Sequence, residues 1–133
     1  MQKYIGLILG GLMMTTPALA DTVWEKCNSN NGGTLVTVAG QTFCKSNSTM
    51  NWWSAYAWCE AIDGYIPSIM ELCPNAPNGL TESAACGVNY GDKIWSATPK
   101  LAGSQFMWFA SGTNISNNAG RADRGCRVFC LKK

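Results

Sequence analysis

A run of strands, then two short helices, then strands again predicts an α+β domain for this chain. Three observations carry that reading. A tryptophan-rich stretch from Met50 to Leu72 has helical periodicity, the segments on either side of it alternate or run apolar over strand-like lengths, and turn residues separate them.

Each element can be justified in order. Asn28–Gly33 (N-S-N-N-G-G) is a turn cluster. Thr34–Val38, the pair Ala39-Gly40 and Gln41–Cys44 then read as a β-hairpin with a Gly-containing turn. Asn51 is a good N-cap, and Trp52, Ala55, Tyr56, Cys59 and Ile62 recur at the spacing that lines one side of an α-helix. Gly64 supplies the expected stop. After Pro67, Ser68 and Glu71 form an S-x-x-E capping box that starts a second helix. Pro74–Asp92, rich in Pro, Asn, Gly, Ser and Thr, reads as a long loop. Ile94–Ala97 is a short strand ended by Pro99, and Gln105–Ala110 is another. Ser111–Gly120 reads as a polar turn region. Arg127–Leu131 is the final strand, with Cys126, Val128 and Cys130 on one face and Arg127, Phe129 and Leu131 on the other.

The first twenty residues carry an export signal: Lys3, an apolar run from Tyr4 to Met14, and the small-residue pattern Ala18-Leu19-Ala20, with cleavage expected before Asp21. The apolar run is too short to span a bilayer, so no membrane attachment is expected after cleavage. Residues 21–133 then form one domain, secreted or periplasmic, with the cell surface as a further destination. All seven cysteines (27, 44, 59, 73, 86, 126 and 130) lie in that part, and in an oxidising compartment they read as disulfides. Cys27 and Cys44 flank the hairpin region, and a bond between Cys73 and Cys86 would close the long loop. Seven is odd, so at least one thiol is free or pairs with another chain, and spacing does not say which.

Several chemistries are disfavoured. The chain has no histidine and no C-x-x-C, so neither a metal site nor any other cofactor is called for. Without histidine, and with its acids scattered, it lacks an acid/base couple, and the reading is that it is no enzyme. Cys126 between Arg124 and Arg127 has the charges that would lower a thiol pKa, although a structural thiol is the plainer reading; it is also where a disulfide-linked dimer would form. Residues 21–133 have nine basic and eight acidic side chains, a net +1, and nucleic acid is not an expected partner. Charge is nonetheless concentrated at the end: Arg121, Arg124, Arg127, Lys132 and Lys133 against Asp123 give the last thirteen residues +4. Such a cluster suits acidic or sulfated glycans, against the plainer reading of a solvated tail.

The motifs together carry a resemblance. Met50-x-Trp52-x-x-Ala55-x-x-x-Cys59, then Gly64, Ile66-Pro67 and Glu71-Leu72, then Ile94-Trp95-Ser96, Phe106–Ala110, and Arg127-Val128-Phe129-Cys130 near the end resemble the bacterial branch of the C-type lectin-like domain. The likeness is to the C-terminal domain of collagen-like adhesins in particular, and it covers about Phe43 to Leu131. It implies a lectin-like fold, with two short helices on small antiparallel sheets, and a disulfide between Cys59 and Cys130. The pair Cys27–Cys44 is similar to the N-terminal staple of the long-form domains. The calcium-binding triplets of sugar-binding members are missing, with Asp92 and Asp123 reading as turn formers or solvated charges. The implied function is therefore calcium-independent recognition of a glycan or a surface protein, as in adhesion. The other reading is a structural component of a cell-surface assembly, linked through the odd cysteine. The expected ligand face is formed by Pro74–Asp92 and Ser111–Arg124, with Tyr90, Trp108, Asn114, Asn117, Arg121, Arg124 and Arg127 as ligand-binding residues. Trp53, Tyr56 and Tyr65 are further aromatics that exposure would turn into contacts.

Overall fold

The computed structural model describes residues 24–133; the export signal expected at residues 1–20 lies outside the described residues. Ala39 (φ 51°) and Gly40 (φ 81°) both take left-handed backbone and turn the first hairpin. A two-residue turn of that hand matches the twist of the strands it joins. Those strands, β1 (Gly33–Val38) and β2 (Gln41–Ser46), pair in unbroken register from Val38 with Gln41 to Gly33 with Ser46.

The first helix, α1 (Trp52–Ala61), begins where expected: the Asn51 side chain accepts from Ser54 N at 2.8 Å. Its end differs from expectation. Asp63 takes the left-handed conformation (φ 66°), while Gly64 lies one residue further on, in β3 (Gly64–Tyr65). Gly64 is required there for space, since a Cβ would stand 2.7 Å from the Trp24 ring and 2.8 Å from the Leu131 carbonyl oxygen. The inner face of α1 is also narrower than its periodicity suggested. Ala55, Cys59 and Ile62 are buried, Trp52 is half-buried, and Tyr56 is exposed. The second helix, α2 (Ile69–Leu72), carries the full capping box: Glu71 N donates to Ser68 Oγ and Ser68 N to Glu71 Oε1.

The remaining strands are β4 (Lys93–Pro99), β5 (Phe106–Ser111), β6 (Asn114–Gly120) and β7 (Phe129–Lys132). β6 corrects the expectation of a polar turn over Ser111–Gly120. Only Gly112 and Thr113 turn, and the Asn- and Ser-rich segment pairs with β5 along most of its length. Its propensity for turns is overridden because Ile115, Ser116 and Ala119 are buried against the neighbouring strands.

Two antiparallel sheets result, one ordered β1-β2-β7-β3 and the other β4-β5-β6. They meet at the residue before Val128: Arg127 N donates to Lys93 O, and Trp95 N donates to Arg127 O, both at 2.9 Å. The period of two in the last strand has an unusual consequence, because both faces are buried. Cys126, Val128 and Cys130 join a core cluster with Ala55, Cys59, Trp95, Met107 and Phe109. Phe129 and Leu131 join a second cluster with Phe43, Ile69, Leu72, Ile94, Trp108 and Ile115. The closing strand thus runs between two halves of the core.

Three disulfides hold these parts together. Cys27–Cys44 ties the N-terminal segment to β2, Cys59–Cys130 ties α1 to β7, and Cys73–Cys86 closes the long loop. Three such bonds accord with an oxidising compartment. Among the described residues no helix is long and apolar enough to cross a membrane.

Candidate functional site

The two expected loops do come together, but largely to satisfy each other. Ala85 bridges Asn114, Cys86 N donates to Thr113 O, Ser83 N to Ile115 O, and Ile115 N to Ala84 O. The long loop therefore covers the open edge of β6, a usual way to protect strand groups that lack a neighbour. Side chains follow suit. Asn114 Nδ2 donates to Ser83 O, and the Glu82 carboxylate accepts from Asn117 N and Ser116 Oγ. Tyr90 is half-buried, packs edge-on against Phe43 and Phe129, and gives its hydroxyl proton to Leu72 O. Burial pushes its pKa up to about 12. Trp108 is 5% exposed and presents no ring face to solvent.

The basic residues of the last segment do not make one patch. Arg127 forms an ion pair with Asp92 at 2.9 Å and donates through Nη1 to the carbonyls of Ser46 and Asn47. It is a clasp between β2 and the start of β4. Lys133 is paired with Glu60. Arg121 lies with its guanidinium carbon 5.0 Å from the centroid of Trp52, and its Nε donates to Met107 Sδ. Arg124 is exposed. The single acids are engaged as well: Asp92 holds Arg127 and caps Lys93 N, and Asp123 accepts from Gly120 N.

A surface with the character of a recognition site stands instead on the outer side of α1. Trp53 is 54% exposed and Tyr56 51%, three residues apart and hence neighbours on the helix surface. Tyr56 stacks on Trp52 with ring centroids 5.6 Å apart, and Arg121 covers Trp52. The Trp52 backbone N–H donates to Arg121 O, and its indole N–H to Ser96 O, so these groups are held by β4 and by the turn after β6. No carboxylate among the described residues is within ion-pairing distance of Arg121. Stacked rings beside a guanidinium suit planar or ring-shaped polar ligands. Trp53 and Tyr56 were both legible in the sequence as aromatics that exposure would turn into contacts. Tyr56 also fits the spacing of the buried side of the helix, and no sequence signal set Arg121 over Trp52.

The protein surface also has two concavities. One, about 420 Å³, is lined by Lys93, Asn118, Asp123, Arg124 and Cys126 among others, in the segment that follows Arg121. The other, about 470 Å³, is lined by Trp24, Gln41, Tyr65, Glu71 and Lys132 among others, and contains none of the expected ligand residues. It is the larger of the two and has the partly exposed Tyr65 and the exposed Lys132 in its lining, and no residue of α1 lines either concavity. Cys126, the free cysteine, is 1% exposed. Burial pushes its thiol up to about 12, with Lys93 opposing weakly and Asp92 and Asp123 adding to the rise. Desolvation thus outweighs the opposing Lys93 charge, and the buried thiol is neither a ready nucleophile nor presented to a second chain. No protein-family model, curated protein or solved structure matches this chain.

Proposed function

We propose that this domain is an exported recognition module of the C-type lectin-like kind, which binds a glycan or a protein surface without calcium. The observation that carries the reading is the pair of half-exposed rings Trp53 and Tyr56 on a helix whose other side is locked into the core, with Tyr56 stacked on the Trp52 ring that Arg121 covers. Neighbouring exposed aromatic rings are the kind of surface that anchors a contact. The lectin-like assignment draws support from the disulfide between the tryptophan helix and the closing strand, and from the order of strands, helices and strands. The long loop contributes as scaffold, and the ligand face moves to α1 and residues 121–126.

A glycan array, read with and without chelator and at rising salt, tests this. Binding should ignore chelator and weaken as salt screens Arg121 and Arg124. Trp53→Ala and Tyr56→Ala should each weaken it by about tenfold with little change in melting temperature, because both rings are largely outside the core. Binding that requires calcium, or that survives loss of both rings, would overturn the proposal.

A further inference from the structure

Among the described residues nothing pairs with the outer edge of β1, and the turn sets its hydrogen-bonding phase. Val38 and Gln41 flank a two-residue turn, so they form a hydrogen-bonded pair, and by alternation Val36 and Thr34 also direct their backbone groups to β2. Gly33, Leu35 and Thr37 therefore direct theirs away. The Gly33 N–H fixes this phase independently, since it donates at 2.9 Å to Asn28 O outside the hairpin. The N–H and C=O groups of Leu35 and Thr37 have no partner among the described residues.

Protein sheets usually blunt such an edge with a lysine, a proline, a bulge or a covering loop. β6 is covered in that way here, while β1 reads G-T-L-V-T-V with no charge, no proline and no register break. Leu35 is 42% exposed, and Val36 and Val38 are only partly buried at the margin of the second core cluster.

We propose that β1 is a homodimerisation edge, with two copies of this chain pairing β1 to β1 in antiparallel register about a two-fold axis at Val36. In that register Leu35 of each copy lies opposite Thr37 of the other, and each pair exchanges two backbone hydrogen bonds. The four open groups of Leu35 and Thr37 in each copy are then satisfied, while the Gly33 carbonyl lies beyond the paired segment. Val36 meets Val36 of the second copy, and Thr34 meets Val38, so apolar and hydroxyl-methyl surfaces abut and no like charges are opposed. This self-match is what favours a second copy over a foreign segment, which would need to supply the same unbroken, uncharged register. The two four-stranded sheets become one of eight strands, and an isologous contact closes as a dimer. A dimer also doubles the recognition surfaces per particle, which raises avidity for a repetitive target. The inference does not depend on what α1 binds.

The test is sedimentation of the oxidised protein together with amide exchange, over about 1 µM to 1 mM because a small strand-edge interface is expected to be weak. The mass should rise towards that of a dimer, and the Leu35 and Thr37 amides should exchange at least about tenfold more slowly in the concentrated sample. The Val36 and Val38 amides, already bonded to β2, should change far less. Thr37→Pro removes an outward N–H that the hairpin does not use, and Leu35→Lys places a charge at an exposed site; each should keep the chain monomeric with the fold retained. A monomer throughout, with both amides unprotected, would overturn the proposal and leave the edge to an extended segment of another protein. A dimer that persists in both variants would overturn it too, by placing the contact elsewhere.

Discussion

Removing the Cys59–Cys130 bond should destabilise the domain more than removing either of the others. The bond joins residues 71 apart in sequence, against 17 for Cys27–Cys44 and 13 for Cys73–Cys86. In the chain-entropy model, the loop of 71 constrains the unfolded chain by about 4 kcal/mol and the two shorter loops by about 3 kcal/mol each. The double substitution Cys59→Ala with Cys130→Ala also removes two sulfurs from positions that are fully buried, so a further small packing loss adds to the entropic one. Domains of this size have a total stability of about 5–15 kcal/mol, so the variant should be left marginal. Urea unfolding followed by tryptophan fluorescence measures this directly. With a slope of about 2 kcal/mol/M, the midpoint should fall by about 2 M. The pair Cys73→Ala with Cys86→Ala serves as the internal comparison. If the Cys59/Cys130 variant loses no more than the Cys73/Cys86 variant, or less than about 1 kcal/mol, closure of the long ring is not what stabilises the fold.

Further outcomes follow from the packing. Gly64→Ala should destabilise by about 1–3 kcal/mol in the same assay, because the added methyl meets the Leu131 carbonyl and the Trp24 ring, and backbone has little freedom to yield. Arg127→Ala should cost about 1–3 kcal/mol, since it strips a donor from the carbonyls of Ser46 and Asn47 as well as the partner of Asp92. Cys126 should resist alkylation in the native protein and react as one thiol per chain once the protein is unfolded. Its folded pKa is raised from 9.0 to about 12, so the folded state holds its proton longer than the unfolded state. Stability from this group is therefore complete below pH 9 and declines as pH rises towards 12, by at most about 1.4 kcal/mol per pH unit. Cys126→Ala should flatten that decline between pH 9 and 10, and an unchanged slope would refute the assignment.

The legible parts of the candidate site were those whose signals are local. Trp53 and Tyr56 stood out as aromatics open to exposure. Arg121, Arg124 and Arg127 stood out as a charge run, but a run in sequence says nothing of what lies across from it. Arg127 is taken up by Asp92, thirty-five residues away, and by carbonyls about eighty residues away. Asn114 is committed to the long loop, and Asn117 is tied to it through its backbone N–H; Trp108 is turned into the core. Tyr56, which also fits the spacing of the buried stripe, stands in solvent because the sheets cover only a narrow band of the helix.

By itself the sequence determined the hairpin and its two-residue turn, the caps at Asn51 and Ser68, the alternation of the closing strand and the α+β order of elements. The pairs that staple the hairpin and the long loop were suggested by the segments they flank, while Cys59–Cys130 was expected only through the family likeness. Tertiary structure alone decided that a polar segment becomes β6, that both faces of the last strand are buried, and that the outer surface of α1 carries the exposed rings. The division has one physical cause. Caps, turns and periodicity act through hydrogen bonds and sterics within a few residues, whereas exposure and strand pairing depend on which distant side chains arrive to exclude water.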